Sequence, residues 1–129
     1  MRVYVASVFL FLGLSGFLIA QPQHSKIFKT TPDELQEMFS ENELAASEKL
    51  SGKLIEITGI ITSVGKTMGE PYVSLDINHR FFSATMFVKN SEIKALSKLK
   101  KGEAISVICK KVSYTISPTG ENCTIKKQK

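Results

Sequence analysis

The chain has 129 residues, of which 43% are hydrophobic and 22% charged, and Lys and Arg outnumber Asp and Glu by 17 to 12 for a formal net charge of +5. That length suits one domain, and the composition excludes both a disordered linker and a multispanning membrane protein. A basic excess this small rules out an acidic tail without establishing a polyanionic partner.

Residues 1–20 carry one charge, Arg2, ahead of an apolar run over residues 3–20. This reads as a secretory signal, with Ala20 as the small residue before a cut and Gln21-Pro22-Gln23 beyond it. Leu18 stands where a second small residue is preferred, so an uncleaved anchor is the alternative. No cysteine lies near the boundary, which excludes a bacterial lipid anchor there. Residues 21–30 form a polar leader without periodicity.

Thr31-Pro32-Asp33-Glu34 starts a helix, because Thr31 can cap, Pro32 suits the first helical position and Glu34 completes a capping box. Leu35, Met38, Phe39, Asn42, Ala45, Ala46 and Leu50 recur at helical spacing until Ser51-Gly52. The period then switches to two. Residues 53–61 read as a strand with Ile55, Ile57 and Ile61 on one side, and residues 65–71 as a turn. Residues 72–77 alternate Val73, Leu75 and Ile77 against Tyr72, Ser74 and Asp76. Asn78-His79-Arg80 turns the chain into a strand over 81–88, with Phe82, Ala84, Met86 and Val88 inward.

Asn90-Ser91 precede a short helix with Ile93, Leu96 and Leu99 on its buried stripe, ended by Lys100-Lys101-Gly102. Residues 104–109 alternate again, with an extension over 110–116. Ser117-Pro118-Thr119-Gly120 reads as a turn, residues 123–125 as a last strand and residues 126–129 as a basic tail. The even cysteine count, Cys109 and Cys123, favours a disulfide in an exported chain. Closing a loop of this length is worth roughly 3 kcal/mol. Two free thiols in a β core are the alternative.

Helix, three strands, short helix and two strands is the order of a mainly β fold with two helices. It predicts a five-stranded OB-fold Greek-key barrel over residues 31–125, preceded by an amphipathic helix. Closure handles the sheet edges of so short a chain. The second helix would plug one barrel end.

Phe39-x-x-Asn42-x-x-x-Ala46-x-x-x-Leu50-x-Gly52-Lys53, then Ile55-x-Ile57-x-Gly59 and later Lys101-Gly102-x-x-Ile105-x-Val107, resembles the tRNA_anti-like family. The resemblance covers residues 31–125. It implies a small, exported bacterial OB-fold protein, related in fold to anticodon-binding domains and without a catalytic signature. Cys123 matches the family's carboxyl-terminal cysteine, and Cys109 is inferred as its partner. In two places the pattern departs: Cys109 replaces a common glycine, and Pro118-Thr119-Gly120 replace apolar residues. The length and pairing of the last two strands therefore stay open.

Gly59 and Gly65-Lys66-Thr67 approximate a phosphate loop, but five residues separate the glycines where four are needed, and no helix follows. His24, His79, Cys109 and Cys123 lack metal-site spacing. Asp76 and His79 lack a nucleophile elbow. Asn122-Cys123-Thr124 is a chance glycosylation match in a bacterial export context. The expectation is no enzyme, no metal and no cofactor.

OB-folds bind oligomers on their second and third strands. That face would display Tyr72, Ser74 and Asp76 beside Phe81, Ser83, Thr85 and Phe87. Tyr72, Ser74, Phe81 and Phe87 are the candidate ligand-binding residues, because aromatics with hydroxyls suit stacking on a base, sugar or peptide. The alternative packs Phe81 and Phe87 under the first helix. Lys94, Lys98, Lys100, Lys101, Lys110 and Lys111 form a candidate basic rim, or else a solvated lysine surface. The expected function is a non-enzymatic, periplasmic or secreted OB-fold protein binding a protein or oligomer of the bacterial envelope. Single-stranded nucleic acid ranks second, disfavoured by export and by strands without basic residues. A membrane-anchored structural accessory ranks third.

Overall fold

The Thr31 hydroxyl accepts from the Glu34 N–H at 3.2 Å, and the Glu34 carboxylate accepts from the Thr31 N–H at 3.2 Å. This reciprocal cap, with Pro32 in the first turn, starts α1 (Pro32–Glu41) where the sequence predicts it. The computed structural model describes residues 26–78 and 81–126. The expected signal or anchor over 1–20, residues 21–25 of the leader, His24, His79 and tail residues 127–129 lie outside the described residues.

The predicted single helix is two. Asn42 adopts an extended conformation, φ −162° and ψ 100°, and its side-chain oxygen accepts from the Ala45 N–H to cap α2 (Glu43–Leu50). A short amide competes with the helical backbone and is worth more as a cap than inside a helix. Asn42 is therefore exposed rather than part of the buried stripe, which consists of Leu35, Phe39, Ala46 and Leu50. The leader is also corrected: β1 (Ile27–Thr30) pairs in parallel with β2 (Leu54–Thr67), Ile27 opposite Leu54 and Thr30 opposite Ile57.

β2 runs beyond residue 61, and the predicted turn over 65–71 contracts to Met68-Gly69 between β2 and β3 (Glu70–Leu75). Met68 and Gly69 have φ of 51° and 83°, the double positive φ that fits the right-handed twist of a two-residue hairpin. β4 is shorter than predicted, Ala84–Val88, so Phe82 lies ahead of it and is 36% exposed, while Ala84, Met86 and Val88 point inward. A 3-10 turn (Asn90–Glu92) leads into the one-turn α3 (Ile93–Leu96), with Leu96 buried and Ile93 and Leu99 half-buried.

β5 (Ala104–Cys109) continues into β6 (Lys111–Tyr114), and β7 (Pro118–Ile125) returns. The predicted turn over 117–120 is thus largely strand. Pro118 occupies the first position of β7, where a missing N–H is tolerated. The strand order β2–β3–β4–β7–β5 closes through β2–β5, with β4 and β7 parallel and the other pairings antiparallel. This is the five-stranded OB-fold barrel. β1 flanks β2 outside it, and β6 pairs with the first half of β7.

Alternation fills the barrel with Ile55, Ile57 and Ile61, Val73 and Leu75, Met86, Ile105 and Val107. Each fully buried side chain of this size contributes ~1.5–3 kcal/mol. Cys109 and Cys123 are joined in a disulfide, and both are fully buried. Gly120 lies against them. A Cβ at that position would stand 2.7 Å from both Cys109 Sγ and Met86 Sδ. This close approach accounts for glycine at position 120.

Candidate functional site

β3 and β4 pair with Tyr72 opposite Phe87 and Ser74 opposite Thr85. Because side chains alternate, these four face outward while Val73, Leu75, Ala84 and Met86 enter the barrel. The Tyr72 and Phe87 rings meet edge to face, with centroids 6.4 Å apart and planes at 62°, an arrangement that ring quadrupoles favour. Gly65 stands opposite Tyr72 on β2, and a Cβ there would come within 3.3 Å of the phenolic oxygen. Tyr72 thus lies across Gly65.

Thr67 and Thr119 complete a shallow concavity of about 390 Å³ around Tyr72, Ser74, Thr85 and Phe87. Its lining is aromatic and hydroxylic and contains no charged residue. On the other side of Phe87 a second concavity of about 480 Å³ is bordered by Glu70, Lys89 and Glu121. Stacking and hydrogen bonding to an uncharged, edge-rich ligand are what such a surface can do.

Of the four predicted binding residues, the structure brings together Tyr72, Ser74 and Phe87. Ser74 is buried, 8% exposed. Phe81 is separate: it precedes β4 in the β3–β4 loop and is wholly exposed, so it neither joins the face nor packs under a helix. Phe87 instead meets Tyr72 on the outer face of the sheet. Phe39 of α1 stacks on Tyr114 with parallel rings 5.1 Å apart. Ser83 pairs with Thr62 at 3.0 Å. Thr67 and Thr119 are not visible as part of this face in the sequence, because both fall in predicted turns. For Thr119 the signal is its alternation with the buried Pro118 and Gly120.

The predicted basic rim divides. Lys94 and Lys98 are exposed on and just after α3, and Lys101 is exposed before β5. Lys110 follows β5, whose six residues span about 20 Å at ~3.3 Å each. Lys110 and Lys111 instead border a groove beside α2. The β3–β4 loop is tied to α1 by Asp33, whose carboxylate accepts from the Asn78 backbone N–H at 2.8 Å and from its side-chain amide at 2.9 Å.

Among the described residues, no group of three or more His, Cys, Asp or Glu converges as a metal site. The two cysteines are committed to their disulfide. No helix among the described residues is long and apolar enough to cross a membrane.

The tRNA_anti-like family model matches residues 6–125 of the chain. Among solved structures, the crystal structure of a "putative nucleic acid-binding lipoprotein" from Klebsiella pneumoniae is similar with a TM-score of 0.58 and 19% identity, covering 77% of this chain and 92% of that one. At that identity the likeness shows the shared fold. The S. pombe Stn1-ten1 complex matches with a TM-score of 0.44 and 15% identity over 58% of this chain and 59% of that one. An OBody, NL8, bound to hen egg-white lysozyme matches with a TM-score of 0.44 and 9% identity over 60% of this chain and 98% of that one. A search of curated proteins gave no match.

Proposed function

The chain belongs to the tRNA_anti-like family, and from that premise we propose that it is a non-enzymatic, exported OB-fold protein that holds an oligomeric or protein ligand of the bacterial envelope. Tyr72 and Phe87 are the residues on which the ligand rests. The observation that carries this reading is their edge-to-face pair inside an uncharged concavity rich in hydroxyls. Aromatic faces supply sequence-tolerant stacking, and the surrounding hydroxyls both donate and accept. Export is supported by the apolar run over residues 3–20 and by a disulfide, which persists in oxidising compartments. The similar Klebsiella pneumoniae protein is named a lipoprotein, which agrees with an envelope location.

Single-stranded nucleic acid is the second reading. The aromatic pair on the barrel's second and third strands favours it, as does the name of that lipoprotein. Against it stands the lining of the concavity, which offers no Lys or Arg to a phosphate, while Lys89 in the adjoining concavity is accompanied by Glu70 and Glu121. Binding to a single strand should then fall with salt with a log–log slope of roughly −0.7 per phosphate contacted.

Titration of labelled oligothymidine at two salt concentrations, with wild type and Tyr72→Ala, separates the two. The envelope reading expects weak binding that is indifferent to Tyr72→Ala. Submicromolar affinity that Tyr72→Ala abolishes, with circular dichroism unchanged, promotes nucleic acid to first place. Mass spectrometry of what co-purifies with the protein from native envelope then identifies the ligand.

A further inference from the structure

The groove of about 460 Å³ between α2 and β6 lies apart from the Tyr72–Phe87 face. One wall is the unbroken run Lys110, Lys111, Val112, Ser113 and Tyr114. Side chains of a strand alternate between faces, so five consecutive residues can line one groove only if the strand turns its edge toward it. Among the described residues, β6 pairs with β7 alone, which leaves that other edge without a strand. The opposite wall is one stripe of α2: Glu43, Ser47 and Leu50, spaced four and three residues apart as one helical face requires. The Phe39–Tyr114 stack contributes a further side.

We propose that this groove receives an extended peptide from a partner protein, added as a strand to the free edge of β6. Main-chain hydrogen bonds to an exposed edge supply affinity in this mode, and alternate side-chain positions supply selectivity. The lining dictates the sequence preference. The base of the groove is apolar but shallow, formed by the covered side chains of Leu50 and Val112, so it suits small apolar residues at the inward positions of the peptide. Lys110 and Lys111 are exposed on the rim and form no ion pair among the described residues, and Glu43 is the one acid in the lining. The fitting partner is therefore a segment alternating apolar and acidic residues. The four residues of β6 give a pairing length of about 13 Å. This site is independent of the ligand proposed for the Tyr72–Phe87 face.

The test titrates a capped hexapeptide of alternating valine and glutamate into the ¹⁵N-labelled protein. Saturable shifts at the Lys111–Tyr114 amides are expected, together with slowed hydrogen exchange there. Ser47→Trp fills the groove from the exposed side of α2 and should weaken binding at least tenfold with the melting temperature unchanged. Lys110→Glu with Lys111→Glu should weaken it similarly and instead favour a valine–lysine peptide. Tyr72→Ala should leave peptide binding as it is. The proposal is overturned by absence of saturable binding at millimolar peptide, by shifts confined to the Tyr72–Phe87 face, or by equal binding in Ser47→Trp. Oligothymidine displacing the peptide and losing affinity on Lys110→Glu would reassign the groove to nucleic acid.

Discussion

Gln36 and Tyr114, separated by 78 positions in the chain, are joined by a hydrogen bond in which the Gln36 amide donates to the Tyr114 hydroxyl at 2.8 Å. The Tyr114 ring also stacks on Phe39, one helical turn further along α1. This pair ties the leading helix to the end of β6, and it is polar in an otherwise apolar contact. Gln36 is buried, and its amide oxygen has no hydrogen-bond partner among the described residues.

Tyr114→Phe removes the one partner of the Gln36 amide and should cost about 1–3 kcal/mol, the penalty for a buried polar group left unpaired. Combining it with Gln36→Leu removes both groups and should recover most of that loss. Urea unfolding of the two single variants and the double variant measures this. A double variant less stable than either single would contradict the account.

Gly120→Ala places a methyl group where Cys109 Sγ and Met86 Sδ already stand at 2.7 Å. Overpacking of this kind should destabilise by about 1–3 kcal/mol. A companion Met86→Ala change should relieve part of the clash, so the two effects should be less than additive in thermal unfolding.

Alkylation of the unfolded protein without reductant should label neither Cys109 nor Cys123, and labelling after reduction should reach both. Loss of the bridge in the Cys109→Ala, Cys123→Ala double variant should cost about 2–5 kcal/mol, the usual range for small secreted domains. Intact mass and denaturant unfolding read the two parts separately.

Asp33→Ala cuts both hydrogen bonds to Asn78 and removes an acid from the first turn of α1, where the helix dipole favours one. Hydrogen bonds to a charged group on an exposed site place the loss near 1.5 kcal/mol. Amide exchange at Asn78 should quicken more than exchange in the barrel strands. Uniform quickening would show a global effect instead.

Met68→Asn should stabilise. Met68 is fully exposed and holds φ at +51°, a conformation costing ordinary L residues about 1–2 kcal/mol, and Asn followed by Gly suits such a hairpin turn. A gain of up to about 1 kcal/mol, part of the left-handed cost that Asn avoids, is expected from the unfolding midpoint.

The sequence by itself determined whatever depends on neighbours close along the chain. The capping box at Thr31 and Glu34 was legible because its donors and acceptors lie three residues apart. The inward sets Ile55, Ile57 and Ile61, then Val73, Leu75 and Ile77, were legible because a half-buried strand enforces a period of two. From their order followed the closed OB-fold barrel. The shared face of Tyr72, Ser74 and Phe87 followed too, since alternation assigns a face before any partner is known. Even Asn42 carried a local sign, being a better cap than helix interior.

Only the tertiary structure decided what depends on which segments meet. β1 is four residues long and exists as a strand because β2, starting 27 positions after Ile27, offers a parallel partner. Pro118, Thr119 and Gly120 look like a turn until β4, β6 and the disulfide close around them. Phe81 left the face because β4 begins at Ala84, and the lysines separated because β5 runs between Lys101 and Lys110. The groove beside β6 appears only where α2 packs past the end of β2. Periodicity reports which way a side chain points. Register and closure decide what it points at, because they are fixed by contacts between residues that the chain itself holds far apart.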